Sequence, residues 1–123
     1  MRISDLNNLL KNHFVEIKFS AMAVRDLSGY NRNVQEQIMA LIIKRALNGP
    51  LIGPKGVGKP LSRELNGFTK LKLKKLNIRV VYKPVQSANM VTMQIIAIGP
   101  RDNNLVYRKA AQRLNQFEKE TQK

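Results

Sequence analysis

Apolar and polar positions repeat with two different periods along the chain, and the switches between them outline its elements. Residues 13–19, His13-Phe14-Val15-Glu16-Ile17-Lys18-Phe19, alternate with period two and read as a strand. Ahead of them, Leu6, Leu9 and Leu10 share one side of a short helix over 5–11, with Ser4 as its N-cap. Behind them, Ser20 caps a helix near 21–28 that Gly29 closes. Asn31 or Asn33 opens a longer helix. Val34, Ile38, Leu41, Ile42 and Ala46 recur in it at helical spacing, and Asn48-Gly49-Pro50 stops it. These two helices read as a hairpin that covers one face of a sheet.

A Gly/Pro-rich loop fills residues 49–60. Three strand-like runs follow, over 68–75, 77–85 and 90–98, with a turn at 84–89 between the last two. Asn103 or Asn104 opens a final helix to about residue 118, followed by a charged end. The predicted fold is α+β in the order β-α-α-β-β-β-α. It is a small antiparallel sheet with the two-helix hairpin packed on one face and an extra N-terminal helix. The chain reads as one domain over 1–123, with an N-terminal extension (1–12), a core (14–113) and a charged tail (114–123).

Charge changes this picture most. The 22 Lys and Arg against 8 Asp and Glu give a formal net charge of +14, which favours a polyanionic partner. The basic residues cluster in strand-like runs and not on one amphipathic helix, so nucleic acid or an acidic protein is favoured over a membrane surface. No apolar run is long enough to span a bilayer and the N-terminus lacks a secretory pattern. With no cysteine, disulfides and thiolate chemistry are excluded, in keeping with a reducing cytoplasm.

Several chemistries fail on inventory. Gly53-Pro54-Lys55-Gly56-Val57-Gly58-Lys59-Pro60 approaches a phosphate-binding loop. Pro60, however, replaces the hydroxyl residue that would ligate Mg²⁺, and a helix precedes where a strand should. His13 is the only histidine, so neither a metal centre nor a triad is expected. The eight acids are scattered and suggest no two-metal nuclease. Nuclease activity, if present, is expected to be metal-independent, and no cofactor is implied.

The strongest pattern is cationic. Within Thr69-Lys70-Leu71-Lys72-Leu73-Lys74, the lysines share one strand face and the leucines the other. In the next strand Arg79, Val81 and Lys83 share a face, and antiparallel pairing can set Arg79 beside the lysines, on a face expected to be open to solvent. Arg101 follows the turn Gly99-Pro100 at the end of the third strand. Tyr107 lies early in the last helix, where it can stack on a base or pack in the core.

Together, Gly58-Lys59-Pro60-Leu61, Leu65-Asn66-Gly67, Lys70-Leu71-Lys72-Leu73, Ile78-Arg79-Val80-Val81-Tyr82, Ile98-Gly99-Pro100-Arg101 and Val106-Tyr107 resemble the RelE toxin family. These are ribosome-dependent mRNA endonucleases of bacterial type II toxin–antitoxin pairs. The likeness runs from about Phe14 to Arg113. Its apolar parts point only to the wider RelE/ParE superfamily, whereas Lys70, Lys72, Arg79, Arg101 and Tyr107 match the RelE pattern with the right gaps. The resemblance implies 2′-OH attack on the adjacent phosphate of mRNA in the ribosomal A site, giving a 2′,3′-cyclic phosphate and a 5′-OH. It implies Lys72 as general base, Arg101 at the leaving oxygen, Arg79 and Lys70 on the phosphate, and Tyr107 stacked on the nucleotide. Lys59, Lys74, Lys75 and Lys83 are then expected to add affinity for mRNA and rRNA. An acidic cognate antitoxin and a cytoplasmic location, for a bacterial or a phage- or plasmid-encoded protein, are implied too. Two other readings stand beside this one: a ParE-type non-catalytic inhibitor of DNA gyrase, and a basic RNA- or ribosome-binding protein without activity.

Overall fold

The computed structural model describes residues 3–121. Its elements run α1 (Ile3–Leu10), β1 (Val15–Phe19), α2 (Ala21–Ser28), α3 (Arg32–Asn48), β2 (Thr69–Leu73), β3 (Ile78–Ser87), β4 (Met90–Pro100), α4 (Leu105–Gln112) and α5 (Leu114–Thr121). The caps fall where side-chain chemistry puts them. Ser20 Oγ accepts from Ala23 N–H at the start of α2, and Asn31 Oδ1 from Val34 N–H at the start of α3. Ser4 lies inside α1, which begins earlier than expected, and His13 sits in an exposed 3₁₀ turn ahead of β1.

The four strands lie in the order β1-β4-β3-β2. The antiparallel expectation holds for β2, β3 and β4, while β1 joins β4 in parallel, Val15 opposite Val91 through Phe19 opposite Ile95. Alternation cannot distinguish the two senses, because period two is the same in both. The turn expected over 84–89 is tighter: Pro84 pairs with Met93 inside the ladder, and Ala88 and Asn89 alone join β3 to β4. A bulge between Val81 and Tyr82 sets Ile96 and Ala97 on one face while Ile95 and Ile98 keep the other.

Both faces of the sheet are covered. On one, Leu71, Val80, Tyr82, Met93 and Ile95 pack on Ala23 of α2 and on Ile38, Ile42 and Ala46 of α3. The N-terminal segment belongs to this core: Leu6 and Leu10 are fully buried in it. Asn7 also closes the edge of β1, its side-chain amide donating to Ile17 C=O at 3.1 Å and accepting from Ile17 N–H at 2.8 Å. On the other face, Val81, Ile96 and Ala97 pack on Val106 and Ala110 of α4 and Phe117 of α5, with Leu65 and Phe68 at the margin. The final helix is therefore two, broken at Arg113. What reads as a charged tail is folded over 114–121, because Phe117 needs a surface to bury against. Met1, Arg2, Gln122 and Lys123, parts of the expected extension and tail, lie outside the described residues.

Candidate nucleic-acid site

Strand β2 is one edge of the sheet, and β3 sets its partners. Lys72 stands opposite Arg79, Lys70 opposite Val81, and Arg79 opposite Gly99 of β4. Lys70, Lys72 and Arg79 thus share the face that α4 crosses. Tyr107 projects from the first turn of α4, and Lys70 Nζ lies 5.5 Å from its ring centroid, within cation–π range. The ring is half-buried, which bears out its packing role: it packs on the Val106 and Ala110 cluster and also meets the lysine.

Arg79 departs from expectation. It is only 8% exposed, on a face expected to be open that α4 and α5 cover at Val81, Ile96 and Ala97. Its Nη1 donates to Ile78 C=O at 3.1 Å, and its Nε finds no acceptor among the described residues. A buried guanidinium donor without a partner is costly. Lys72, by contrast, is exposed. Repulsion from Lys70, first of all, then desolvation, Lys74, Arg79 and Lys59 hold its ammonium below the ordinary lysine range. None of Lys59, Lys70, Lys72, Lys74 and Arg79 forms an ion pair among the described residues.

The remaining predicted residues are spread around this group. Lys74 and Lys75 are exposed, but in a 3₁₀ turn between β2 and β3, so Lys74 leaves the strand alternation at the point where the chain must reverse. Lys83 shares the Arg79 face farther along β3, with Nζ 5.9 Å from the Phe68 ring centroid. Arg101 is exposed just beyond β4, its N–H donating to Asn77 C=O at 3.0 Å, which fixes its backbone beside the start of β3. Its guanidinium makes no described hydrogen bond to the other four matched residues. Among the described residues, no three His, Cys, Asp or Glu side chains come together.

Two features escaped the sequence. One is a polar clasp behind the site. Beyond Ile95, β4 has no strand on its β1 side, and side chains serve its backbone instead. Asp26 of α2 accepts from Ile98 N–H at 2.9 Å, Arg113 donates to Ile96 C=O at 2.9 Å, and Lys109 to Ile98 C=O at 3.2 Å. Asp26 also pairs with Arg113 through two bonds of 2.6 and 3.0 Å and with Lys109 at 3.2 Å, so α2 grips the helix that carries Tyr107. Burial alone would raise the Asp26 carboxyl, but bonds from Arg113, Ile98 N–H and Lys109 outweigh it and hold it below its usual range. The other is Arg45, a cation one turn after Leu41 on the inward side of α3. Its Nη1 donates to the buried Tyr82 hydroxyl at 3.2 Å. That hydroxyl donates to Pro50 C=O at 2.6 Å, and burial raises its pKa against the opposing pull of Arg45.

The same fold is seen in solved structures of RelE and YoeB/ParE toxins. An E. coli toxin RelE carrying two arginine-to-alanine changes, in the free state, matches with a TM-score of 0.61 at 23% identity, over 80% of this chain and 95% of its own. The same kind of variant in complex with a peptide of antitoxin RelB gives 0.54 at 22% identity, over 76% and 90%. A YoeB/ParE toxin from Agrobacterium tumefaciens gives 0.52 at 20% identity, over 67% and 93%. No protein-family model and no curated protein matches the sequence.

Proposed function

We propose that this chain is the toxin of a type II toxin–antitoxin pair and a metal-independent endoribonuclease that cleaves mRNA in the ribosomal A site. The observation that carries the reading is Lys72 paired across the strands with a buried Arg79, next to Lys70 under Tyr107, with no acid among the described residues ion-paired to any of the three cations. Lysine is a poor base at an ordinary pKa of about 10.4. Here the cations that attract the phosphate also favour the neutral amine of Lys72. In the proposed reaction Lys72 Nζ takes the 2′-OH proton, the 2′-oxygen bonds to phosphorus, and the bond to the 5′-oxygen breaks. The leaving oxygen is stabilised by Arg101 and takes its proton from solvent, since a guanidinium hardly gives one up. Arg79 and Lys70 hold the charge that builds on the phosphorane. Tyr107 stacks on the nucleotide, and Lys59, Lys74, Lys75 and Lys83 draw in the RNA backbone.

A RelB-type antitoxin is the partner this reading implies, since E. coli RelE binds a peptide of one. The net charge of +14 asks that the partner be acidic. The test is to induce the chain in a bacterium and map mRNA ends over minutes. Cleavage within translated codons is expected, with a loss of 10²-fold or more, roughly, in a Lys72→Ala/Arg101→Ala variant. Growth arrest with intact mRNA and a DNA-damage response would overturn the reading in favour of gyrase inhibition.

A further inference from the structure

The free edge of β2 opens on a second basic space. A cleft of about 360 Å³ lies between α3, the end of the 49–60 loop and β2. Its cations come from three segments, Lys44 and Arg45 from α3, Lys59 from the loop and Lys70 and Lys72 from β2, and no acid lines it. Leu41, Val57 and Leu71 supply apolar wall. Lys70 and Lys72 are shared with the proposed catalytic face, so the cleft continues that face around the edge of the sheet. Lys59 joins the two, because its charge is felt at Lys72.

Local structure accounts for only part of this. Arg45 stands in the last turn of α3, where a cation suits the helix end. Lys59 gains nothing from that helix, and bringing it to the same space adds repulsion that an anion relieves. Arg45 is also pre-set. The Tyr82 hydroxyl, itself anchored on Pro50, holds one arm of the fork, which leaves the other donors for a ligand. One pre-set arginine and two lysines beside an apolar wall, in a space within the usual range of about 300–1,000 Å³ for small-ligand clefts, suit a nucleotide: phosphate on the cations, base on the wall.

We infer that this cleft is a flanking-nucleotide subsite. It receives a phosphate and base of the same RNA strand whose neighbouring phosphate lies on Lys70, Lys72 and Arg79. The inference rests on the ribonuclease reading above for which strand enters. It assigns Lys44 and Arg45, which that reaction does not use, to RNA binding.

The test uses 2′-O-methyl oligoribonucleotides, which cannot undergo 2′-OH attack, three and six nucleotides long, with binding followed by fluorescence anisotropy. The full chain should bind the hexamer at least about fivefold more tightly than the trimer. Lys44→Ala/Arg45→Gln should lose that gain while leaving the trimer unchanged. Lys44→Ala alone, an exposed side chain whose loss spares the core, should flatten the dependence of log K on log salt for the hexamer by about 0.7. The subsite is overturned if the hexamer gains nothing over the trimer, as when a separate ribosomal RNA fills the cleft. Equal weakening of both lengths overturns it too, as does failure to bind either oligonucleotide. Loss of hexaglutamate binding in the variants with RNA binding intact would assign the cleft to an acidic protein segment instead. Retained hexamer behaviour without mRNA cleavage in cells would sink the ribonuclease reading and leave the RNA subsite standing.

Discussion

Replacing Asp26 by Asn tests whether the clasp behind the site holds the molecule together. The carboxylate is 9% exposed and its partner Arg113 10%, with the two Arg113 bonds, the Lys109 pair and the Ile98 N–H all converging on one side chain. An amide of the same shape keeps one acceptor but leaves Arg113 and Lys109 without a counter-charge. Breaking a buried pair in this way costs about 3–5 kcal/mol. For a chain of 123 residues that lowers the thermal midpoint by about 12–20 °C. Thermal unfolding followed by circular dichroism at neutral pH measures it. Asp26→Asn/Arg113→Met, which removes the orphaned guanidinium, should recover part of the loss. Acid gives the sign. The folded carboxyl lies below its ordinary value, so its contribution is complete above the unfolded value near about 3.9 and disappears as pH falls through the folded value. The gap between wild type and Asp26→Asn should therefore close in strong acid. A neutral-pH shift under about 4 °C would refute the reasoning, because it would mean that the pair contributes no more than a surface ion pair.

Lys70→Met removes the largest repulsion on Lys72. The rising limb of the cleavage rate against pH should move to higher pH in a purified translation assay, and a lower rate with an unmoved limb would argue against Lys72 as base. Leu6→Ala should cost about 2–5 kcal/mol in urea unfolding, because Leu6 is fully buried in the α2–α3 core; a cost under about 0.5 kcal/mol would make α1 a detachable extension.

Much of this was legible in the sequence because it is local. Period-two alternation through Lys70-Leu71-Lys72-Leu73 and Ile78-Arg79-Val80-Val81-Tyr82 already sets Lys72 and Arg79 on one face, and the ladder pairs them. Ser20 and Asn31 mark two helix starts by cap chemistry alone. The face that α4 and α5 cover was harder to see, since it depends on a long-range partner. The signal was present as an imbalance: Val81 and Ala97 lie on the lysine face, and Val106, Ala110 and Phe117 form an apolar stripe with nothing else to bury it. The clasp left no local trace, because Asp26 meets Ile98 across 72 residues of chain and Arg113 across 87, only where β1 stops short and leaves the edge of β4 unserved.

Covering that face changes how the cations divide their work. With all of them solvated, Lys70, Lys72 and Arg79 would be interchangeable counter-ions, screened by salt and free to reorient. Burial removes Arg79 from that pool. Its guanidinium is buried, bonded to Ile78 C=O and with an Nε that no group among the described residues accepts, which is costly. Lys72 remains exposed, so it can move toward a ribose and exchange its proton with water. In the proposed reaction the two therefore cannot swap roles. A fixed, permanently charged group suits the phosphate, whose negative charge grows toward the transition state, and a mobile group of lowered pKa suits the proton. An exchange of Lys72 and Arg79 would preserve net charge yet should abolish cleavage, because the buried position would then carry a lysine that can neutralise and the exposed one an arginine that cannot act as a base.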